Sequence, residues 1–143
     1  MKHVKLALVA LVFALFILPS GAFATIIQMS ATLTGTRACG DANVVKIKQV
    51  LFVEFDTNSL QFDFYLDSGF SNLYASLPVF AVYEITSTTF AVGALSPTSP
   101  AALFEGTVKV TSTTFSFAGV YTDADDPCFA YGAVKSGKIL AVF

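Results

Sequence analysis

Apolar residues recur at every second position along much of this chain, and this alternation most constrains the fold. Between Val45 and Phe55 the odd positions are mostly Val, Ile, Leu and Phe, while the even positions are mostly polar or charged. The same pattern continues over Leu60–Leu66. A period of two places alternate side chains on opposite faces of a β-strand, and no convincing helical stripe interrupts it. The sequence therefore predicts an all-β domain.

Neighbouring strands can be paired so that apolar residues meet apolar residues across three predicted hairpins. The three proposed turns are Asn58-Ser59, Ser87-Thr88 and Ser112-Thr113, the last two within a repeated Thr-Ser-Thr-Thr-Phe segment. The predicted pairs are Phe55 with Phe62, Val53 with Phe64, Leu51 with Leu66, Ile85 with Phe90, Tyr83 with Val92, Val110 with Phe115, Val108 with Phe117 and Phe104 with Tyr121. Matched cross-strand pairs in successive hairpins indicate an antiparallel meander.

Further strands are predicted at Ile26–Leu33, Cys128–Val134 and Lys138–Phe143. Gly106, Gly119 and Gly132 fall within strands, where glycine often marks a bend or bulge. Eight or nine short strands indicate a small antiparallel meander barrel or a sandwich. The barrel is favoured because the immunoglobulin-like sandwich usually carries a core tryptophan, and this chain has none.

The first 24 residues have the order of a secretory signal peptide. Lys2 and Lys5 precede an apolar run over Leu6–Leu18, and the small-x-small triplet Ala22-Phe23-Ala24 follows. Cleavage after Ala24 leaves one domain, residues 25–143, which we expect to be exported to the periplasm or the extracellular space. That domain retains no histidine.

Two cysteines, Cys39 and Cys128, remain in the predicted mature domain. An even count in an oxidising compartment predicts a disulfide between them. A catalytic or metal-binding thiol pair is disfavoured, because neither cysteine belongs to a Cys-x-x-Cys motif and no histidine lies nearby.

The composition argues against several classes of function. Without histidine, the usual nucleophile–base pairs and histidine-containing zinc sites cannot be built. No P-loop or dinucleotide-binding glycine motif occurs, so no cofactor is predicted. After removal of Lys2 and Lys5 with the predicted signal peptide, six scattered basic residues against ten acidic ones argue against nucleic acid as a partner.

Carboxylates are the remaining candidates for chemistry. In the first predicted hairpin Glu54 lies opposite Asp63, an arrangement that suits either acid–base hydrolysis or an ordinary charged outer face. Asp123, Asp125 and Asp126 form a second acidic group and a weak candidate for calcium, although the spacing of a calcium-binding loop is missing. A plain acidic turn is the favoured explanation of this second group.

The hairpin Val79–Leu95 has apolar residues on both predicted faces. Either the preceding loop covers the second face, or that face contacts a second copy of the chain, a small apolar ligand or a membrane. The predicted contact residues are Phe70, Leu73, Tyr74, Leu77, Phe80, Val82 and Leu95.

The sequence thus favours an exported, non-enzymatic β-domain that binds a partner, a small apolar ligand or copies of itself. Two alternatives stay open: a carboxylate-dependent hydrolase, and a small outer-membrane β-barrel, because the chain ends in alternating apolar residues and Phe143.

Overall fold

The computed structural model describes residues 26–40, 43–96, 98, 101–111, 114–125 and 127–143. The predicted signal peptide lies outside the described residues. The strands are β1 (Ile26–Cys39), β2 (Val45–Asp56), β3 (Gln61–Tyr65), β4 (Leu73–Thr86), β5 (Thr89–Ser96), β6 (Ala101–Val110), β7 (Phe115–Asp125) and β8 (Cys128–Val142). The predicted all-β class is confirmed.

These strands form one closed antiparallel barrel in which each strand pairs with the next and β8 pairs back with β1. Of the two predicted architectures, the structure therefore has the meander barrel and not the sandwich. Closure gives each described strand a hydrogen-bonded neighbour on both sides. The β2–β3, β4–β5 and β6–β7 connections share one end of the barrel with Ile26 and Phe143, whose backbones exchange hydrogen bonds. We call this the turn end, and the opposite end, which holds Cys39 and Cys128, the disulfide end.

Inward-facing side chains fill the described interior. Its largest fully buried members are Tyr121, Phe55, Phe62, Phe64, Phe90, Phe104, Phe117, Ile27, Met29, Leu33 and Leu51. Phe62 lies at the centre, with its ring centroid 4.6 Å from Phe55, 5.6 Å from Phe104 and 5.5 Å from Phe117. An eight-stranded barrel is just wide enough for side chains to fill it. The described interior is accordingly a packed core.

Two pairs of glycines let neighbouring strands approach closely. Gly106 lies opposite Gly119 between β6 and β7, and Gly35 lies opposite Gly132 between β1 and β8. A Cβ atom on any of the four would collide with backbone atoms of the facing strand. The pairing continues through them without a bulge, so their role is close approach of the backbones.

The first and third predicted hairpin registers are confirmed. Phe55 pairs with Phe62, Val53 with Phe64, Val110 with Phe115, Val108 with Phe117 and Phe104 with Tyr121. The first turn is longer than predicted, because β3 begins at Gln61 and Leu60 has a positive φ of 53°. Leu66 lies beyond β3, so its predicted pair with Leu51 is not part of the ladder.

The second predicted register is wrong by one residue. Tyr83 pairs with Ala91 and Val82 with Val92, because irregularities at Val79/Ala81 and Glu84/Thr86 shift the ladder. A bulge reverses which alternate side chains face inward. Val82 is therefore buried in the core, while Tyr83 and Ile85 are exposed.

The two last predicted strands are one strand, β8, which crosses the interruption expected between Val134 and Lys138. Its pairing with β1 is irregular between Gln28 and Ala31, opposite that stretch. The predicted first strand likewise extends beyond Leu33 to Cys39. The barrel accordingly has eight strands, the lower of the predicted counts.

Candidate binding surface

Large apolar side chains are exposed on the outer wall formed by β4 to β8. The exposed fractions are Phe80 60%, Tyr83 55%, Leu95 44%, Val120 41%, Phe129 53% and Tyr131 52%. We call this set the outer apolar face. The strand pairings place a small residue beside three of its members, since Ala91 lies opposite Tyr83, Ala124 opposite Phe129 and Ala133 opposite Val120.

A hollow of about 290 Å³ lies between β4, β5 and β6 on this face. Phe80 and Tyr83 line one side, and Gly93, Glu105 and Gly106 line the rest together with neighbouring residues. The Phe80 ring lies over Gly93 so closely that a Cβ there would be 2.7 Å from the Cζ of Phe80. The glycine therefore provides the space for an exposed aromatic ring to lie against the sheet.

A second hollow, of about 190 Å³, lies nearer the disulfide end. Its lining is mainly apolar and includes Leu95, Leu103 and Phe129. Leu95 lies directly opposite Leu103 on the neighbouring strand. The outer apolar face thus continues from the first hollow to the end of β8.

The structure separates the predicted contact residues into three groups. Phe80, Leu95 and Leu73 are exposed, while Leu77 and Val82 are completely buried in the core. Leu77 and Val82 therefore cannot contact a partner on the outer wall. The two buried residues face inward because irregularities in β4 reset its alternation on either side of them.

The other two predicted contact residues, Phe70 and Tyr74, serve local packing. The Phe70 ring meets Phe52 and Tyr65 edge-on, at centroid distances of 6.0 and 5.4 Å. A register shift at Phe64/Tyr65 leaves Tyr74 unpaired in the ladder, and its hydroxyl donates a 2.9 Å hydrogen bond to Oδ2 of Asp123.

Sequence reasoning missed four members of the outer apolar face: Tyr83, Val120, Phe129 and Tyr131. For the last two a signal was present. Phe129 and Tyr131 alternate with Ala130 and Gly132, so the larger side chains occupy the outward positions. An aromatic–small alternation within one strand is the sequence sign of an outer face that exposes aromatic rings.

The acidic residues of the first hairpin lie opposite each other as predicted, on the outer wall of β2 and β3. Both Glu54 and Asp63 are half-buried, and Asp63 accepts a 2.8 Å hydrogen bond from Nε2 of Gln61. Burial raises the pKa of the neighbouring Tyr65, and the charge of Glu54 raises it further. Neither carboxylate lines either hollow described above.

Asp123 lies inside the barrel at the disulfide end and is only 3% exposed. Burial, followed by the hydrogen bond to Asp123, raises the pKa of Tyr74 well above its usual range. Burial also raises the pKa of Tyr121, with the charge of Asp123 as the next cause. Both phenols therefore stay protonated at neutral pH. The Tyr121 hydroxyl has no hydrogen-bond partner within the described residues.

The second acidic group does not converge within the part of the chain that the structure describes. Asp123 points into the barrel, Asp125 is exposed at the end of β7, and Asp126 lies outside the described residues. Among the described residues no group of three or more His, Cys, Asp or Glu side chains is arranged to hold a metal ion.

The predicted disulfide is present between Cys39 and Cys128, which are separated by 89 positions. The two cysteines lie directly opposite each other on β1 and β8, the strand pair that closes the barrel. This bond is consistent with an oxidising, exported compartment. The described residues include no helix with the length and apolar character to cross a membrane.

Comparison with known proteins gives no relative from which a role can be transferred. No protein-family model matches this chain, and neither a curated protein nor a solved structure shows significant similarity to it. The functional argument therefore depends on the barrel and its surface.

Proposed function

We propose that this chain is an exported, non-enzymatic binding domain whose working surface is the outer apolar face. The observation that carries this proposal is the contrast between the two sides of the sheet. The described interior is already filled by its own aromatic rings, while Phe80, Phe129 and Tyr131 remain more than half exposed outside. An apolar ligand or partner therefore has access to the outer wall and not to the core.

The size of the outer apolar face supports a binding role. Aromatic side chains each carry about 150–250 Å² of surface, so the six half-exposed members together expose roughly 500 Å². The largest apolar patch on a typical monomer is about 300–600 Å² and is often functional. The alanines between the six members extend the patch further. A patch of this size is often a binding site.

The direction of the side chains favours this reading over an outer-membrane barrel. Outer-membrane barrels place an apolar band outside and polar residues inside. Here the core is apolar, and Lys48, Glu105, Lys109 and Lys135 lie exposed on the outer wall. Charged side chains facing lipid would be destabilising, by about 2–4 kcal/mol for a lysine at the bilayer midplane.

A hydrophobic fluorescent dye, 8-anilinonaphthalene-1-sulfonate, tests the proposal on the purified exported protein at low concentration. We expect the wild type to bind the dye and the Phe80→Ser and Phe129→Ser variants to lose most of that binding. Each substitution removes an exposed ring without disturbing the core, so the melting temperature should change little.

Val50→Ser is the matched control, because Val50 is equally exposed but lies on β2, outside the outer apolar face. It should bind dye like the wild type. If the wild type binds no dye, or if Val50→Ser loses as much binding as Phe80→Ser, the outer apolar face is not the binding surface.

A further inference from the structure

We propose that the partner of the outer apolar face is a second copy of this chain, bound around a two-fold axis that crosses β7. This inference rests on the proposed function and specifies its partner. It is carried by two unpaired charges of opposite sign that lie on either side of β7.

Glu105 lies on β6, directly opposite Val120 of β7. Lys135 lies on β8, directly opposite Ala118 of β7. Both charged side chains are exposed, and within the described residues neither makes an ion pair or a side-chain hydrogen bond. Adjacent strands are about 4.8 Å apart, so the two charges flank β7 at a separation on the order of 10 Å.

A two-fold interface is self-complementary: if a residue contacts a second residue of the other copy, the second contacts the first in return. An axis lying in the interface over β7, between Ala118 and Val120, places Glu105 of each copy against Lys135 of the other. Two equivalent ion pairs then form, each between Glu105 of one copy and Lys135 of the other. A face with only one sign of charge would instead repel its own copy.

The surface between these charges suits close contact. Val120 is flanked by Ala118 on its own strand and by Ala133 on β8, so small side chains lie beside this exposed apolar residue on the side away from Glu105. The same axis sets Val120 of one copy over Ala133 of the other. Tyr131 and Leu103 lie one step further towards the disulfide end and extend the apolar contact. Charges at the edge of an apolar contact set the register in which the two surfaces bind.

Charge reversal tests the pairing. Sedimentation equilibrium of the purified exported protein over rising concentration should show a monomer–dimer equilibrium. We expect Glu105→Lys and Lys135→Glu each to weaken dimerisation at least tenfold, because each sets like charges against each other. The double variant E105K/K135E should return the dissociation constant to within about threefold of the wild type, since the pairs are restored with their signs exchanged.

Lys48→Glu is the control, because it makes the same charge change on β2, away from β7. It should dimerise like the wild type. A wild type that stays monomeric at millimolar concentration overturns the inference, as does a double variant that dimerises no better than the single ones. If the dye experiment above succeeds while dimerisation fails, the partner is wrong and the binding surface stands. If both fail, the proposed function fails with it.

Discussion

Replacing both Cys39 and Cys128 with serine is expected to lower the free energy of unfolding by about 4–5 kcal/mol. The bond closes a loop of about 90 residues, and in the chain-entropy model a loop of this length strongly restricts the unfolded chain. Since small domains are stable by only about 5–15 kcal/mol, this is a large share of the total.

The position of the disulfide adds a structural reason for this effect. Cys39 and Cys128 are the last facing pair of β1 and β8, where the first and last strands meet. These two strands are far apart in sequence, so their pairing closes the longest loop in the fold and carries the greatest entropic penalty. The disulfide keeps the ends of these two strands together in the unfolded chain, which lowers that entropic penalty.

Urea denaturation measures the loss, with a reducing agent as the control. Wild-type protein in reductant should lose about as much stability as the double serine variant, and the variant itself should be insensitive to reductant. Equal stability of the wild type with and without reductant would contradict the prediction.

The second large effect is expected from Phe62→Ala, which should lower the free energy of unfolding by about 3–5 kcal/mol. Phe62 is completely buried and its ring contacts those of Phe55, Phe104 and Phe117, which come from β2, β6 and β7. Removing it leaves a cavity at the centre of the barrel, lined by rings that cannot collapse without moving three strands.

Phe52→Ala is the matched control for this cavity. Phe52 is half-buried on the outer wall, and its ring meets that of Phe70 edge-on, at a centroid distance of 6.0 Å. Its removal leaves a surface indentation that water fills, so we expect a loss near 1 kcal/mol. The core assignment is wrong if urea denaturation shows Phe52→Ala to be as destabilising as Phe62→Ala.

The parts of the fold that local patterning determines could be predicted from the sequence. The β2–β3 and β6–β7 registers follow from apolar residues facing one another across uninterrupted strands, as with Val53 and Phe64 or Val108 and Phe117. The disulfide followed from an even count of two cysteines. For the two registers, a pair of neighbouring segments contains all the needed information, whereas for the disulfide the count of cysteines was enough.

The β4–β5 register could not be predicted in the same way. Its irregularities at Val79/Ala81 and Glu84/Thr86 follow from how β4 fits both β3 and β5 in a closed barrel. Because side chains alternate between the two faces of a strand, one bulge places Val82 in the core and Tyr83 on the surface, the reverse of the prediction. This is why the predicted contact region contained core residues.

The outer apolar face was only partly predictable for a related reason. Phe80 and Leu95 belong to one hairpin and were identified together, whereas Phe129 and Tyr131 belong to the last strand. Their place beside β7, and through it beside Leu103 and Leu95, depends on the order in which the barrel closes. The predicted meander implies this order, so Phe129 and Tyr131 were missed because the predicted contact region was confined to one hairpin and the loop before it.

Hydroxyl-radical footprinting in the periplasm or the extracellular space, the proposed location of the protein, tests the central proposal, that the outer apolar face is covered in use. Tyr83, Phe129 and Tyr131 should be labelled strongly in dilute purified protein and be several-fold protected in that compartment. Leu73, which is exposed outside the outer apolar face, should be labelled equally in both. Equal labelling of the three aromatic residues in both settings would contradict the account.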